Sequence, residues 1–263
     1  MRILALIGLM ATPLCAEIAL PADTKVVIAG EVHDNPAHHR VQADLVMQAR
    51  PAALVFEMLT VAQAAAATSD MLGDRDALGA ALEWDASGWP DFGLYYPIFA
   101  ASGDARIYGA LVPRDAARAA MQTGVAAAFG QGAADYGLTT PLPEDEQLQR
   151  EADQQEAHCN ALPDDLLPAM VDIQRLRDAA LARATLQALD DTGGPVVVIT
   201  GNGHARRDRG VPVYLARLRP DLPVFVLGQT EEGEPQETGD LFDLILTAPP
   251  VDRPDPCEAF RKG

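Results

Sequence analysis

Basic residues, aromatic residues and cysteines are all scarce in this sequence. The 263 residues include 20 Lys and Arg against 38 Asp and Glu, which gives a formal net charge of −18. A chain this acidic repels phosphate backbones, which argues against nucleic acid as a partner. Aromatic residues make up only 5%, so small aliphatic side chains must fill most of the core of a chain that is 48% hydrophobic. That apolar content at this length is enough for one large domain.

Several well-known catalytic motifs are also missing. The sequence contains no G-x-S-x-G elbow, no H-E-x-x-H, no P-loop and no C-x-x-C-H. The usual serine hydrolase, zinc protease and c-type cytochrome interpretations therefore lose their main support. Beyond the first residues, no stretch approaches the roughly 20 apolar residues that a membrane-spanning helix needs.

The first 16 residues have the pattern of an export signal. One basic residue, Arg2, precedes a short apolar run at residues 3–14, and Ala16 offers a small residue for cleavage. We therefore predict a signal peptide at 1–16 and a mature single domain at 17–263, located in the periplasm or otherwise exported. The alternatives are a buried first strand and a lipid anchor on Cys15. Leu14 stands where lipoprotein signals carry a small residue, which argues against the anchor.

Removal of this signal would leave two of the three cysteines, Cys159 and Cys257. Two cysteines in an oxidising compartment can pair, and a disulfide would anchor the proline-rich tail at residues 249–263 to the rest of the domain. We predict this disulfide. The alternative is two separate buried thiols.

Strand-like and helix-like segments alternate along the chain. Continuous apolar runs, typical of strands buried on both faces, occur at residues 25–29, 53–56, 106–109, 196–200, 224–227 and 241–247. Helical patterns occur at residues 38–49 after Asn35 and Pro36, and then at 116–129, 166–189 and 212–218. This alternation predicts an α/β fold: a mostly parallel sheet of about five or six strands with helices on both faces. Residues 70–159 break the rhythm and predict a helical insertion in the middle.

Charged side chains directly follow three of these runs. Glu31 and His33 come after the first, Glu57 after the second and His204 after the fourth. Ligand sites in open α/β sheets form beyond the carboxyl ends of the strands, so we expect these four side chains to converge in one crevice. Carboxylates and imidazoles together are typical of metal or acid–base chemistry. Taken singly, each residue is equally compatible with an ordinary turn at the end of a strand.

Aromatic residues are concentrated in one short segment. Six of the fourteen in the chain lie within residues 84–99, which we call the aromatic segment. Concentrated aromatics suit a flat apolar ligand such as a porphyrin, and a tyrosinate can ligate haem iron. Composition alone favours the alternative, in which a helical hairpin packs these rings into the core.

Several motifs together resemble the ChaN-like haem-binding family. They are GEVHD at 30–34, FEM at 56–58, YPIF at 96–99, Pro113-Arg114, His158-Cys159, QRLRD at 174–178, GNGH at 201–204 and GVP at 210–212. The resemblance runs from about residue 25 to residue 227. That family is similar to the Tiki proteases, the TraB proteins and the erythromycin esterases, with which it forms a wider superfamily.

The resemblance implies an exported protein that binds haem for iron uptake. It implies tyrosine as the iron ligand, and we expect Tyr96 first and Tyr95 second, with Arg114 and Arg206 holding the haem propionates. A homodimer, an outer-membrane receptor and membrane association are the partners that it suggests besides haem.

The wider superfamily also implies an alternative, a metal-dependent hydrolase. In that interpretation Glu31, His33 and His204 hold a divalent metal with an open position, and Glu57 activates the metal-bound water. The aromatic segment favours the haem carrier, and the polar crevice favours the enzyme.

Overall fold

The computed structural model describes residues 18–234, 240–255 and 257–258. The predicted signal peptide and Cys15 lie outside these residues. The strands are β1 (Val26–Ala29), β2 (Ala53–Phe56), β3 (Arg106–Gly109), β4 (Val196–Ile199), β5 (Val224–Glu231) and β6 (Leu244–Ala248). They form one parallel sheet in the order β3-β2-β4-β1-β5-β6. The predicted α/β fold, with a mostly parallel sheet of about five or six strands, is confirmed.

Helices cover both faces of the sheet. They are α1 (Pro36–Ala49), α2 (Val61–Ala66), α3 (Arg75–Ala81), α4 (Trp84–Ser87), α5 (Phe92–Ala100), α6 (Arg114–Thr123), α7 (Val125–Phe129), α8 (Glu144–Ala157), α9 (Leu167–Thr192), α10 (Asn202–Ala205) and α11 (Val211–Leu218). Because side chains alternate along a strand, Val27 faces the core layer under α1 to α5, whereas Val26 faces the layer under α6 to α11. This double burial explains why the strands read as continuous apolar runs.

Several element boundaries differ from the prediction. The helix expected at 116–129 is divided into α6 and α7 at Gly124, whose φ of 83° a helix cannot contain. Strand β5 runs four residues beyond the predicted end, because its polar residues are buried with partners: the Gln229 amide donates to the Gly30 carbonyl at 2.7 Å. The last strand begins at Leu244 rather than at residue 241.

The C-terminal tail is fixed to the domain at two points. Cys159 and Cys257 form a disulfide with Cα atoms 5.5 Å apart, which confirms the predicted pairing and excludes two separate thiols. The Arg253 guanidinium makes paired hydrogen bonds to the carboxylates of Asp34 and Glu231. Since Asp34 is next to His33, the tail supports the loop that carries the first two candidate site residues.

None of the helices within the described residues combines the length and apolar character that crossing a bilayer requires.

Candidate functional site

The structure brings Glu31, His33, Glu57 and His204 together at the carboxyl edge of the sheet. Glu57 follows β2 directly, and His204 lies on α10 after β4, with its Nε2 3.4 Å from Glu57 Oε1. A side chain added at Gly201 would place its Cβ 2.9 Å from His33 Nε2 and 3.8 Å from Glu57 Oε2. His33 and Glu57 therefore face the same glycine, and the lack of a side chain there keeps the space between them open.

Glu31 and His33 form the first carboxylate–imidazole pair. His33 Nδ1 lies 2.7 Å from Glu31 Oε1, and the Tyr95 hydroxyl donates to the same oxygen at 2.7 Å. The other carboxylate oxygen lies 3.3 Å from Nδ1 of His39, whose Nε2 is 2.8 Å from the His33 carbonyl. Glu31 is thus buried with two hydrogen-bonding partners on Oε1, whereas Oε2 faces His39 without a hydrogen bond to any described residue.

The second pair is formed by Asp178 and His204. Asp178 lies on α9, is fully buried, and its Oδ1 is 2.6 Å from His204 Nδ1. Glu57 accepts hydrogen bonds from the Thr200 hydroxyl at 2.7 Å and the Gly201 amide at 2.8 Å. Glu57 is therefore held in one orientation between the two imidazoles.

Charge interactions set the protonation of this cluster. Burial alone would lower the pKa of His204, but the charges of Glu57 and Asp178 outweigh it and raise the pKa to about 10. Burial would raise the pKa of Glu57, but the His204 and His33 charges hold it well below its usual value. At neutral pH the site therefore contains an imidazolium at His204 and a carboxylate at Glu57.

His33 is the accessible member of the cluster. Burial lowers its pKa, but the hydrogen bond to Glu31 and the charge of Glu57 give a net rise. The side chain is 34% exposed, and its ring lies 4.9 Å from that of the half-buried Trp89. Because Nδ1 is directed at Glu31, the Nε2 atom is the one presented to the space at Gly201.

The proposed metal ligands are already engaged with protein partners. Within the described ranges, no group of three His, Cys, Asp or Glu side chains is arranged to hold a metal ion. Glu31 interacts with His33 and Tyr95, and His204 interacts with Asp178 and Glu57. The arrangement is that of an acid–base cluster rather than a set of converging free ligands.

Most of the aromatic segment packs into the core, as its composition favours. Trp84, Phe92, Tyr95 and Phe99 are all buried, and the Phe99 ring stacks on Phe56 at 4.3 Å. The segment as a whole therefore does not form an open apolar wall, because its rings cover the sheet. Trp89 and Tyr96 are the two of its six rings that remain partly exposed.

The two candidate tyrosines have different environments. Tyr95 is completely buried with its hydroxyl on Glu31. Burial and the Glu31 charge raise its pKa far above the usual value. Tyr96 is half-buried with its ring 6.0 Å from Phe92.

The two candidate arginines also differ. Arg114 is exposed at the start of α6, with its Nη2 3.2 Å from the point that a Cβ on Gly88 would occupy, beside Trp89. Arg206 makes paired hydrogen bonds to Asp208 at 2.9 and 2.8 Å, so its charge is compensated within the chain.

Sequence reasoning missed Asp178, His39 and the site role of the Tyr95 hydroxyl. The sequence did contain an indication for Asp178. This residue lies seven positions after Val171 and four before Ala182, which are helical spacings, so its carboxylate lies on the buried stripe of α9. A buried acid on such a stripe needs a partner. Nothing in the sequence identified His204 as that partner.

Comparisons with known proteins bear on the family and the fold of this chain. A family model described as haem-binding uptake, Tiki superfamily, ChaN, matches residues 18–215. A solved structure described as cofacial haem binding to ChaN of Campylobacter jejuni has a TM-score of 0.61 and 18% identity, covering 81% of this chain and 84% of that one. The type III effector HopBA1 has a TM-score of 0.47 and 13% identity, covering 86% and 88%.

A succinoglycan biosynthesis protein has a TM-score of 0.40 and 11% identity, covering 80% of this chain and 67% of that one. No curated protein is similar enough to match. The ChaN structure shares the fold, and the family model spans well over half of the chain, including all four candidate site residues. The chain therefore belongs to the haem-binding uptake family of the Tiki superfamily that is represented by ChaN.

Proposed function

We propose that this protein is an exported haem-binding protein that acts in haem or iron uptake. The observation that carries the proposal is the family match over residues 18–215. Haem would bring a flat apolar surface, a ferric iron that prefers oxygen ligands such as tyrosinate, and two propionates that need cations.

Tyr96 fits the role of iron ligand better than Tyr95. It is half-buried, and no hydrogen bond of its hydroxyl is found in the part of the chain that the structure describes. Tyr95 instead donates to Glu31, and its raised pKa opposes tyrosinate formation. Freeing Tyr95 would leave a buried carboxylate without one of its donors, which is costly.

Arg114 fits the propionate role better than Arg206. It is exposed beside Gly88 and the partly exposed Trp89, so one short surface offers a cation and an aromatic ring. Arg206 is already paired with Asp208. Because the chain carries a net charge of −18, a local cation is needed to hold a dianionic ligand.

A haem titration followed by absorption tests this proposal. Wild type should give a saturable Soret shift with a tyrosinate-to-iron band. Tyr96→Phe should remove the band and weaken binding at least tenfold, whereas Tyr95→Phe should keep it. Arg114→Gln should weaken binding several-fold, with Arg118→Gln, exposed one turn further along α6, as the matched control. No saturable binding, or loss of the band with Tyr95→Phe alone, contradicts it.

The disulfide supports the export part of the proposal, because disulfides persist in oxidising compartments. Cell fractionation with and without residues 1–16 tests it, with a periplasmic or exported location expected only for the full chain. Sedimentation with and without haem tests the proposed homodimer. Co-purification with outer-membrane proteins tests a receptor or membrane association.

Hydrolysis is a second candidate function, and the two carboxylate–imidazole pairs that converge on Glu57 favour it. In its neutral form, His33 would take a proton at Nε2 from a water at Gly201, and the His204 imidazolium is a source of positive charge for a developing anion. A divalent metal would have to displace the existing partners of Glu31 and His204.

Chromogenic ester and peptide hydrolysis, with and without chelator, tests this second function. His33→Ala and His204→Ala should each abolish turnover, with His158→Ala as a control histidine outside the cluster. Inhibition by the chelator would support the metal-dependent version, and activity that survives it would support the acid–base version. No turnover of any substrate by wild type excludes both.

A further inference from the structure

A large cavity runs along the outer edge of the sheet, away from the polar cluster. Its volume is about 970 Å³, and its walls are α2, strand β3 with the residues on either side of it, α7 and the middle of α9. We call it the β3 cavity. Pockets for small organic ligands range up to about 1,000 Å³, so its size is that of a ligand site.

The walls of the β3 cavity are mainly small and apolar. Ala64 from α2, Val112 after β3, and Ala180 and Ala184 from α9 contribute to them. The ten residues from Asp104 to Pro113 line it in sequence, and such a segment extends up to roughly 30 Å. A wall of this length with little side-chain relief matches a linear hydrocarbon chain, whose burial is favourable in proportion to its area.

Arg183, an exposed residue of α9, supplies a cation at the wall of the cavity. Its guanidinium lies 3.4 Å from the centre of the Phe129 ring, and Nη2 donates to the carbonyls of Phe129 and Gln131, each at 3.1 Å. These contacts hold the guanidinium in place but leave its charge uncompensated: within the described residues, no ion pair joins Arg183 to a carboxylate.

The other charged residues of the lining do not offer a second anion site. Arg106 is 3.7 Å from Asp191 and is therefore already partnered. Asp104 carries the opposite charge and lies exposed before β3. One uncompensated cation suits one carboxylate, whereas a porphyrin with two propionates calls for two.

We propose that the β3 cavity binds a long-chain carboxylate, with the hydrocarbon along the β3 edge and the acid group at Arg183. Tyr96 and Arg114, the residues of the proposed haem site, are not among those that line the cavity, although Pro113 and Ala116 on either side of Arg114 are.

Fluorescence titration with cis-parinaric acid, a straight-chain polyene acid, tests the proposal on protein freed of co-purified lipid. The acid should bind saturably and its methyl ester at least tenfold more weakly. Arg183→Gln should weaken acid binding about tenfold without changing ester binding. Ala184→Phe, which fills the cavity, should weaken both, and Arg40→Gln, exposed on α1, is the matched control. Thermal unfolding of each variant checks that it remains folded.

Haem titrations on the same variants separate this proposal from the haem proposal. Haem binding should survive both Arg183→Gln and Ala184→Phe, and haem should not displace parinaric acid. Equal binding of acid and ester, unchanged acid binding by Ala184→Phe, or no saturable binding would each overturn the long-chain carboxylate site. Competitive displacement by haem would also overturn it and would assign the cavity to the porphyrin.

Discussion

The polar cluster around Glu57 and the β3 cavity are built in opposite ways. In the cluster, the Glu57 carboxylate is held by three groups, and His204 lies between two carboxylates. In the cavity the walls are mainly apolar, and the cation of Arg183 is anchored to carbonyls and aromatic rings rather than to a carboxylate. A site can thus be preorganised by hydrogen bonds, as the cluster is, or formed by empty volume, as the cavity is. We expect these two kinds of site to respond differently to substitution.

The cluster depends on mutual compensation of buried charge, so removal of one member leaves the others unpartnered. The residues that line the cavity do not depend on one another in this way, because their side chains border empty volume on one side. Stability should therefore be lost at the cluster and preserved or gained at the cavity.

The largest effect is expected for His204→Ala. This change leaves Glu57 and Asp178 buried without their shared imidazolium, and we expect the free energy of unfolding to fall by about 3–5 kcal/mol. Urea denaturation measures it. Arg219→Ala, which removes an exposed ion pair with Asp190, is the control and should cost below about 1 kcal/mol. Equal losses for the two variants would mean that the cluster is not coupled.

Reduction of the disulfide should lower the free energy of unfolding by about 2–4 kcal/mol, because Cys159 and Cys257 are separated by 98 residues in the chain. The tail also reaches the cluster through Arg253 and Asp34. Hydrogen exchange at residues 31–35 should therefore accelerate on reduction, while exchange in β3 should not. A Cys159→Ser, Cys257→Ser double variant should reproduce both results, and faster exchange in both regions would contradict a local effect at the cluster.

Stability should also depend on pH through His204. Its pKa is about 10 in the folded protein against 6.5 for a free histidine, so its contribution is fully present below pH 6.5 and is lost as the pH rises through 10. The expected slope is at most about 1.4 kcal/mol per pH unit. Denaturation at several pH values measures it, and the slope should flatten in His204→Gln. An unchanged slope would mean that His204 is not the titrating group.

The smallest effect is expected for a substitution that partly fills the β3 cavity. Ala184→Leu adds apolar surface to the cavity wall, so we expect the free energy of unfolding to rise by up to about 1 kcal/mol. Ala179→Leu on the same helix is the matched control. Because Ala179 is fully buried in a packed layer, the larger side chain should lower the free energy of unfolding by about 1–3 kcal/mol. Chemical denaturation of both variants checks it, and a loss at both sites would show that the cavity is not available volume.

The sequence predicted where the cluster residues lie because the ends of the strands can be recognised from it. Apolar runs followed at once by Glu57, or closely by Glu31 and His33, place those side chains at one edge of any parallel sheet. The helix predicted after Asn35 and Pro36 is present for the same local reason, and its N-cap residue Asn35 accepts a hydrogen bond from the Ala37 amide at 2.9 Å. Local chemistry of this kind is encoded within a few residues.

The expected role of the aromatic segment was harder to derive. Its six rings suit a porphyrin and suit a core equally well, and only the packing of α4 and α5 on the sheet shows that Trp84, Phe92, Tyr95 and Phe99 are interior. The periodicity of apolar residues shows which side of a helix is buried, but not which other element or ligand covers that side.

The sequence alone determined the parallel α/β class, the strand ends that carry the polar residues, and the two cysteines available to pair, because each depends on local pattern or on simple counting. Only the tertiary structure decided that Asp178 meets His204, that Tyr95 turns inward to Glu31, and that a cavity with a single uncompensated arginine lies along β3. Those contacts join segments distant in the chain, and their geometry depends on how helices pack across the sheet, which no short stretch of sequence specifies.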